Sequence, residues 1–186
     1  MKSLKIKLII LLFILKISND NEITITIRGS GDQRIFCEAF EEIPDEIIVN
    51  SNTMTERNKV INLPEEINNV TLKWNENHLT SCRQMFYGST NIIEIDFSKF
   101  DSSEITNMER FFEDCVNLES LDLSNFDTSN VISMHHMFFK CTSLKTVKLT
   151  NFNTSKVDDM VSMIELCTQL TSLDLKSFDT SKVKTM

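Results

Sequence analysis

The residues in this chain best suited to chemistry are an adjacent imidazole pair, His135-His136, a line of turn aspartates, and five cysteines. Paired histidines suit metal ligation or proton transfer. No His-Glu-x-x-His and no Cys-x-x-Cys accompanies them, and His78 with Cys82 lacks the two further ligands a zinc would need. Asp101, Asp127 and Asp179 recur in phase, but Asn153 interrupts their line. One carboxylate per interval falls short of the roughly six to eight oxygens that calcium takes. Three glycines leave no phosphate-binding loop. These residues predict no catalytic group, no metal and no cofactor, so the chain is expected not to be an enzyme.

The elements that carry these residues repeat. Ile95-Asp-Phe-Ser-Lys-Phe100, Leu121-Asp-Leu-Ser-Asn-Phe126, Val147-Lys-Leu-Thr-Asn-Phe152 and Leu173-Asp-Leu-Lys-Ser-Phe178 stand 26 residues apart. A period of that length is the signature of a stacked array. After each Phe comes a polar turn, Asp101-Ser-Ser, Asp127-Thr-Ser, Asn153-Thr-Ser and Asp179-Thr-Ser, of residue types that favour turns and helix starts. Val131, Met134, Met137, Phe138 and Cys141 then recur at steps of three and four, the spacing of a short helix with one apolar stripe. A run through Leu144, Val147 and Leu149 returns as a strand. The expected fold class is therefore an α/β repeat: a leucine-rich-repeat-like solenoid of strand, turn and short-helix rungs with an N-terminal β-rich cap.

In that arrangement Phe100, Phe126, Phe152 and Phe178 form one column, Met108, Met134, Met160 and Met186 a second, and Cys115, Cys141 and Cys167 a third, all serving packing. A divergent earlier copy from Leu79 to Ile92 places Cys82 at the Met position and Ser89 at the Cys position. His135 and His136 fall on the outward side of the expected helix, as a solvated pair. Residues between core positions of each strand point away from the core, which puts Glu94 and Asp96, Ser120 and Asp122, Thr146 and Lys148, and Ser172 and Asp174 on one polar, mostly acidic face. That face is the candidate binding surface.

Units of the form L-D-L-S-N-F-D-T-S-x-V-x-x-M-x-x-M-F-x-x-C-x-S-L resemble the BspA-type leucine-rich repeat surface proteins, a group that includes the mycoplasma lipoprotein-type 26-residue repeat. The resemblance covers residues 79 to 186, with Asn153, Ile164 and Ser89 as departures. It implies a secreted or surface-displayed protein used in adhesion or host contact, with a protein or glycan ligand. The alternative is a structural spacer or coat component that assembles through its repeats.

Residues 1 to 19 carry Lys2, Lys5 and Lys7 ahead of the apolar run Leu8 to Leu15, the pattern of a signal peptide and too short to span a bilayer. No transmembrane span or lipidation motif follows. Removing that leader takes the net charge from -8 to about -12, which argues against nucleic acid and anionic membrane as partners. Residues 20 to 78 alternate as short strands and form the expected cap; 79 to 186 hold the repeats. The odd cysteine count leaves at least one thiol without an intramolecular partner, and cysteines on the apolar stripe are expected to pack as reduced thiols. Asn69-Val-Thr and Asn153-Thr-Ser fit the N-glycosylation sequon, relevant in a eukaryotic host. The repeat pattern stops at Met186 in mid-copy, so further repeats beyond residue 186 are expected.

Overall fold

Alternation at Ile23, Ile25 and Ile27 makes the first strand of a sheet whose inner face is apolar and whose outer face carries Thr24 and Thr26. The computed structural model describes residues 21–75 and 79–186; the expected leader, and His78 with it, lie outside them. The strands are β1 (Asn21–Arg28), β2 (Gly31–Arg34), β3 (Glu46–Val49), β4 (Asn52–Thr53), β5 (Val60–Leu63), β6 (Ile67–Trp74), β7 (Ile92–Lys99), β8 (Ser120–Asp122) and β9 (Thr146–Lys148). Five of them form an antiparallel sheet in the order β4-β3-β6-β1-β7, while β2 pairs with β5 and β8 runs parallel to β9.

Strand β7 belongs to the repeats by sequence, yet it pairs with β1 from the N-terminal region, Ile25 opposite Ile95. Cys37 N–H meets the Met85 carbonyl at 2.9 Å and holds a loop of the N-terminal region against the first copy. Trp74 is buried and donates its indole N–H to the Glu42 carbonyl at 2.8 Å. The N-terminal sheet and the repeats share one apolar core, from Ile23 through Met163.

The expected solenoid of strand, turn and short-helix rungs is corrected by the structure. Among the described residues there is no helix, and the largest sheet is antiparallel. The stripe Val131, Met134, Met137, Phe138 and Cys141 is fully buried, but along a succession of tight turns. His135 N–H reaches Ser133 Oγ at 3.4 Å, and Met137, Phe139 and Cys141 donate to the carbonyls three residues back, at 3.2, 3.1 and 3.0 Å. The donors between them turn the other way: Met134, His136, Phe138 and Lys140 bond Asp159, Val161, Met163 and Glu165 of the following copy, at 2.8 to 2.9 Å. The same alternation joins Cys82 through Gly88 to Asn107 through Glu113, and Met108 through Asp114 to Ser133 through Phe139.

Left-handed backbone makes this alternation geometrically open and a right-handed helix closed. In successive copies one such position is Gln84, Arg110, His136 and Ser162, with φ from 50° to 58°. The second is Gly88, Asp114, Lys140 and Leu166, with φ from 58° to 69°. Only glycine holds that region without strain. Single parallel bridges 26 residues apart, Ser81 to Asn107 to Ser133 to Asp159 to Thr185, mark the register throughout.

The polar turn also has a different task from helix capping. Asp101, Asp127, Asn153 and Asp179 each accept the backbone N–H two residues on, at 2.9 to 3.1 Å, a turn that Asn makes as well as Asp. In the first three of these turns the next residue, Ser102, Thr128 or Thr154, is buried: Thr128 Oγ1 accepts Asn153 N–H at 2.8 Å and donates to the Asn153 carbonyl at 3.1 Å, and Thr154 treats Asp179 the same way at 2.7 and 3.0 Å. Ser102 Oγ accepts Asp127 N–H at 2.8 Å.

Two outcomes follow. Thr128→Val removes both bonds of the buried Thr128 hydroxyl to the Asn153 backbone and should cost about 1–3 kcal/mol in urea unfolding. Thr128→Ser keeps the hydroxyl and should cost under about 1 kcal/mol, as expected for a lost methyl. Leu166→Gly relieves a left-handed φ of 63° at a side chain 47% exposed. It should raise stability by up to about 1 kcal/mol, the left-handed penalty less the chain entropy glycine adds.

Candidate functional site

All eight residues assigned to the candidate binding face are exposed: Glu94, Asp96, Ser120, Asp122, Thr146, Lys148, Ser172 and Asp174. Glu94 and Asp96 lie on β7, Ser120 and Asp122 on β8, Thr146 and Lys148 on β9. The parallel register sets Ser120 beside Thr146 and Asp122 beside Lys148. Ser172 and Asp174 follow in sequence phase, on a segment without strand structure.

Sequence reasoning missed that this face continues across the N-terminal sheet. Glu94 stands opposite Thr26 and Asp96 opposite Thr24 in the β1–β7 register. Thr26 Oγ1 donates to Asn69 Oδ1 at 3.1 Å and lies 3.4 Å from Glu94 Oε2, while the Thr24 and Thr71 hydroxyls meet at 3.1 Å. The result is a hydroxyl, amide and carboxylate surface running from β6 through β1 and β7. The alternation of Ile23 to Ile27 was the available signal, because strict alternation fixes a solvated face as surely as a core face. Asn69 sits in the middle of this surface, and Asn153 at the polar turn, exposed.

Charge on the face is largely matched across copies. Lys148 Nζ lies 2.6 Å from Asp122 Oδ2, and Lys145 Nζ lies 2.7 Å from Glu119 Oε2. Lys148 is therefore not an isolated cation in an acidic face, as its place in the sequence implies. That ammonium, then the Ser124 hydroxyl and backbone N–H, hold Asp122 down at about 2. Glu119 is lowered by Lys145 in the same manner. Glu94 and Asp96 make no ion pair among the described residues; Asp96 Oδ1 accepts Ser98 N–H at 2.8 Å.

The thiols are spent on packing. Cys115, Cys141 and Cys167 donate S–H to the carbonyls of Phe86, Phe112 and Phe138 in the preceding copy, at 3.2, 3.0 and 3.1 Å. Burial pushes the Cys82 and Cys115 thiols up, which keeps them protonated and poor nucleophiles. No group of three or more metal-ligating side chains occurs among the described residues. No helix there is long and apolar enough to cross a membrane.

His135 and His136 are not the solvated pair expected. Their side chains are 24% and 19% exposed and their rings stack at 4.1 Å, with Phe139 stacked on His136 at 4.5 Å. His135 Nδ1 lies 3.3 Å from Asp159, and His136 Nδ1 lies 3.3 Å from Glu113. Glu113 is a buried carboxylate, and Arg110 Nη1 donates to both of its oxygens, at 3.1 and 3.2 Å. Turns rather than a helix carry these residues, and so the outward side of the expected helix is not the surface of the molecule.

A family model described as Mycoplasma protein of unknown function, DUF285, matches residues 50–147 and again residues 119–186. The chain belongs to that family. The two DUF285 matches overlap over β8 and most of β9, and the first begins ahead of the repeats, in the N-terminal sheet. No curated protein and no solved structure gives a significant match to this DUF285 chain.

The electrostatics of the face can be read directly. Lys148→Met should move Asp122 in an NMR titration from about 2 toward the ordinary aspartate value. A depressed carboxylate contributes stability above its unfolded value and loses it as pH falls through the folded one. Because both side chains are at least half exposed, global stability should change by less than about 1 kcal/mol.

Proposed function

We propose that this DUF285 protein is a non-enzymatic recognition module, secreted or displayed at the cell surface, that binds a protein or glycan through its extended strand face. The observation that carries this reading is the continuity of that face. Polar side chains continue from Asn69 and Thr26 through Glu94 and Asp96 on the antiparallel sheet to Asp122 and Lys148 on the adjacent β8–β9 pair, on strands whose opposite side chains are largely apolar core. An array that holds its exposed residues at fixed spacing gains affinity from many modest contacts, each already ordered. The likeness of the copies to the BspA-type surface repeat supports the same reading and its adhesive sense.

Charge on such a face governs association rate and partner choice more than raw affinity. Glu94 and Asp96, which make no ion pair among the described residues, are the residues on which a partner's charge would register most. The test is binding to a panel of immobilised purified surface proteins and glycans. A Glu94→Lys, Asp96→Lys variant should change capture at least about tenfold and alter its salt dependence. Lys140→Gln, on the turn side, should leave it unchanged. Capture unaffected by the face variant would remove the face as the site. Self-association of the chain with no partner captured would favour the spacer or coat role instead.

A further inference from the structure

The core side of β6 carries Val70, Leu72 and Trp74, and in the same row stands Asn68, wholly buried. An amide in that row costs stability unless it is fully bonded. Asn68 meets that condition. Its Oδ1 accepts Asn50 Nδ2–H at 2.9 Å and the Glu65 N–H at 3.2 Å, and its Nδ2 donates to the carbonyls of Glu65 and Gly29 at 2.5 and 3.3 Å. Two donors and two acceptor positions are all that a primary amide has. One side chain thereby ties three turns: the one after β1 at Gly29, the one between β3 and β4 at Asn50, and the one between β5 and β6 at Glu65. A leucine in its place would fill the core and tie none of them.

We infer that Asn68 and Asn50 are positioning residues of the strand face, an inference that rests on the recognition reading above and adds to it the groups that orient one end of the surface. The Asn50 amide is the link. Its Nδ2 is bonded to Asn68, its Oδ1 accepts the Asn69 N–H at 2.9 Å, and its backbone N–H donates to the Asn69 carbonyl at 2.9 Å. Asn69 is exposed, and its side chain continues the path: Thr26 Oγ1 lies 3.1 Å from Asn69 Oδ1 and 3.4 Å from Glu94 Oε2. Thr26 has one hydroxyl proton for these two acceptors. The shorter contact commits the Asn69 oxygen to Thr26 and leaves the two N–H donors of that amide to a partner, beside the Glu94 carboxylate as acceptor. The path is continuous from the buried Asn68 through Asn50, Asn69 and Thr26 to Glu94. Holding a donor and an acceptor in place before a partner arrives removes the cost of ordering them on binding. Asn50 serves this path at a left-handed φ of 47°, a conformation that asparagine tolerates better than most residues.

The test uses the full chain with Asn50→Gly. Glycine takes a φ of 47° without strain and keeps the backbone bond to the Asn69 carbonyl, but it loses both side-chain links. In NMR relaxation the order parameter of the Asn69 side-chain amide should fall by at least about 0.2, while that of Asn151, which donates to the Ser124 carbonyl in the repeats, stays unchanged. Against the immobilised surface protein or glycan that the unmodified chain captures best, Asn50→Gly should weaken capture about three- to tenfold. Thr128→Val, which removes buried bonds within the repeats, controls for stability: it should lower the unfolding midpoint more than Asn50→Gly does and leave capture unchanged. An Asn69 amide that keeps its order in Asn50→Gly overturns the inference. So does equal weakening of capture by Thr128→Val. Capture changed by Glu94→Lys, Asp96→Lys but not by Asn50→Gly overturns the positioning role and leaves the recognition reading standing. Capture indifferent to Glu94→Lys, Asp96→Lys, or no capture by the unmodified chain, removes both. If Asn50→Gly does not fold, Asn50→Asp takes its place, keeping the acceptor for the Asn69 N–H and losing the donor to Asn68, and the same outcomes decide.

Discussion

Every buried backbone N–H must find an acceptor, and in this chain the repeats divide their donors between two. One donor closes a turn on the carbonyl three residues back; the next reaches the copy that follows, as Met137 and His136 do at 3.2 and 2.9 Å. This division fixes the rest. It needs left-handed backbone at two positions per copy, excludes a helix, and holds each copy in register with its neighbours. Once register is set, like falls beside like. Thr128 meets the backbone of Asn153, Cys141 meets the carbonyl of Phe112, and Lys148 meets Asp122. The columns visible in the sequence are consequences of this bonding, with apolar burial supplying the driving force.

The period and the identity of the buried residues were legible because a repeat of 26 residues declares itself and apolar side chains have one place to go. Ile23 to Ile27 was legible as a strand because alternation has no helical counterpart. The helix was misread for a definite reason. Steps of three and four between Val131, Met134, Met137, Phe138 and Cys141 suit a helix, but they equally suit tight turns laid end to end. The deciding signal was weak: Gly88 sits at a left-handed position where later copies carry Asp114, Lys140 and Leu166. One glycine beside three residues that resist that conformation does not announce it. The buried hydroxyls of Thr128 and Thr154 were hidden for a similar reason, since Asp-Thr-Ser reads as a polar turn and burial of its middle residue depends on the neighbouring copy.

The functional side of the molecule follows the same logic. Positions that recur in the later copies, the Phe, Met and Cys columns among them, serve the stack. Exposed positions that vary between copies are free to recognise something. On the strand face Lys148 stands where the other copies carry Asp96, Asp122 and Asp174, and Glu94 where they carry Ser120, Thr146 and Ser172, while the flanking residues stay apolar. The solvent-facing character of that surface was readable from the strand pattern, whereas its extension onto Thr24, Thr26 and Asn69 required the β1–β7 pairing, which no local pattern encodes. The histidine cluster was placed on the wrong side because its position was inferred through the helix.

Trans-hydrogen-bond couplings measured by NMR on isotope-labelled protein test the division of donors most directly, because they identify the acceptor of each amide. The account predicts couplings from the His136 amide nitrogen to the Val161 carbonyl carbon and from Met137 to Met134, with the same alternation one copy earlier, Arg110 to His135 and Phe111 to Met108. Couplings from His136 to Ile132 and from Met137 to Ser133, four residues back, are the mark of an α-helix. Finding those instead would contradict the account.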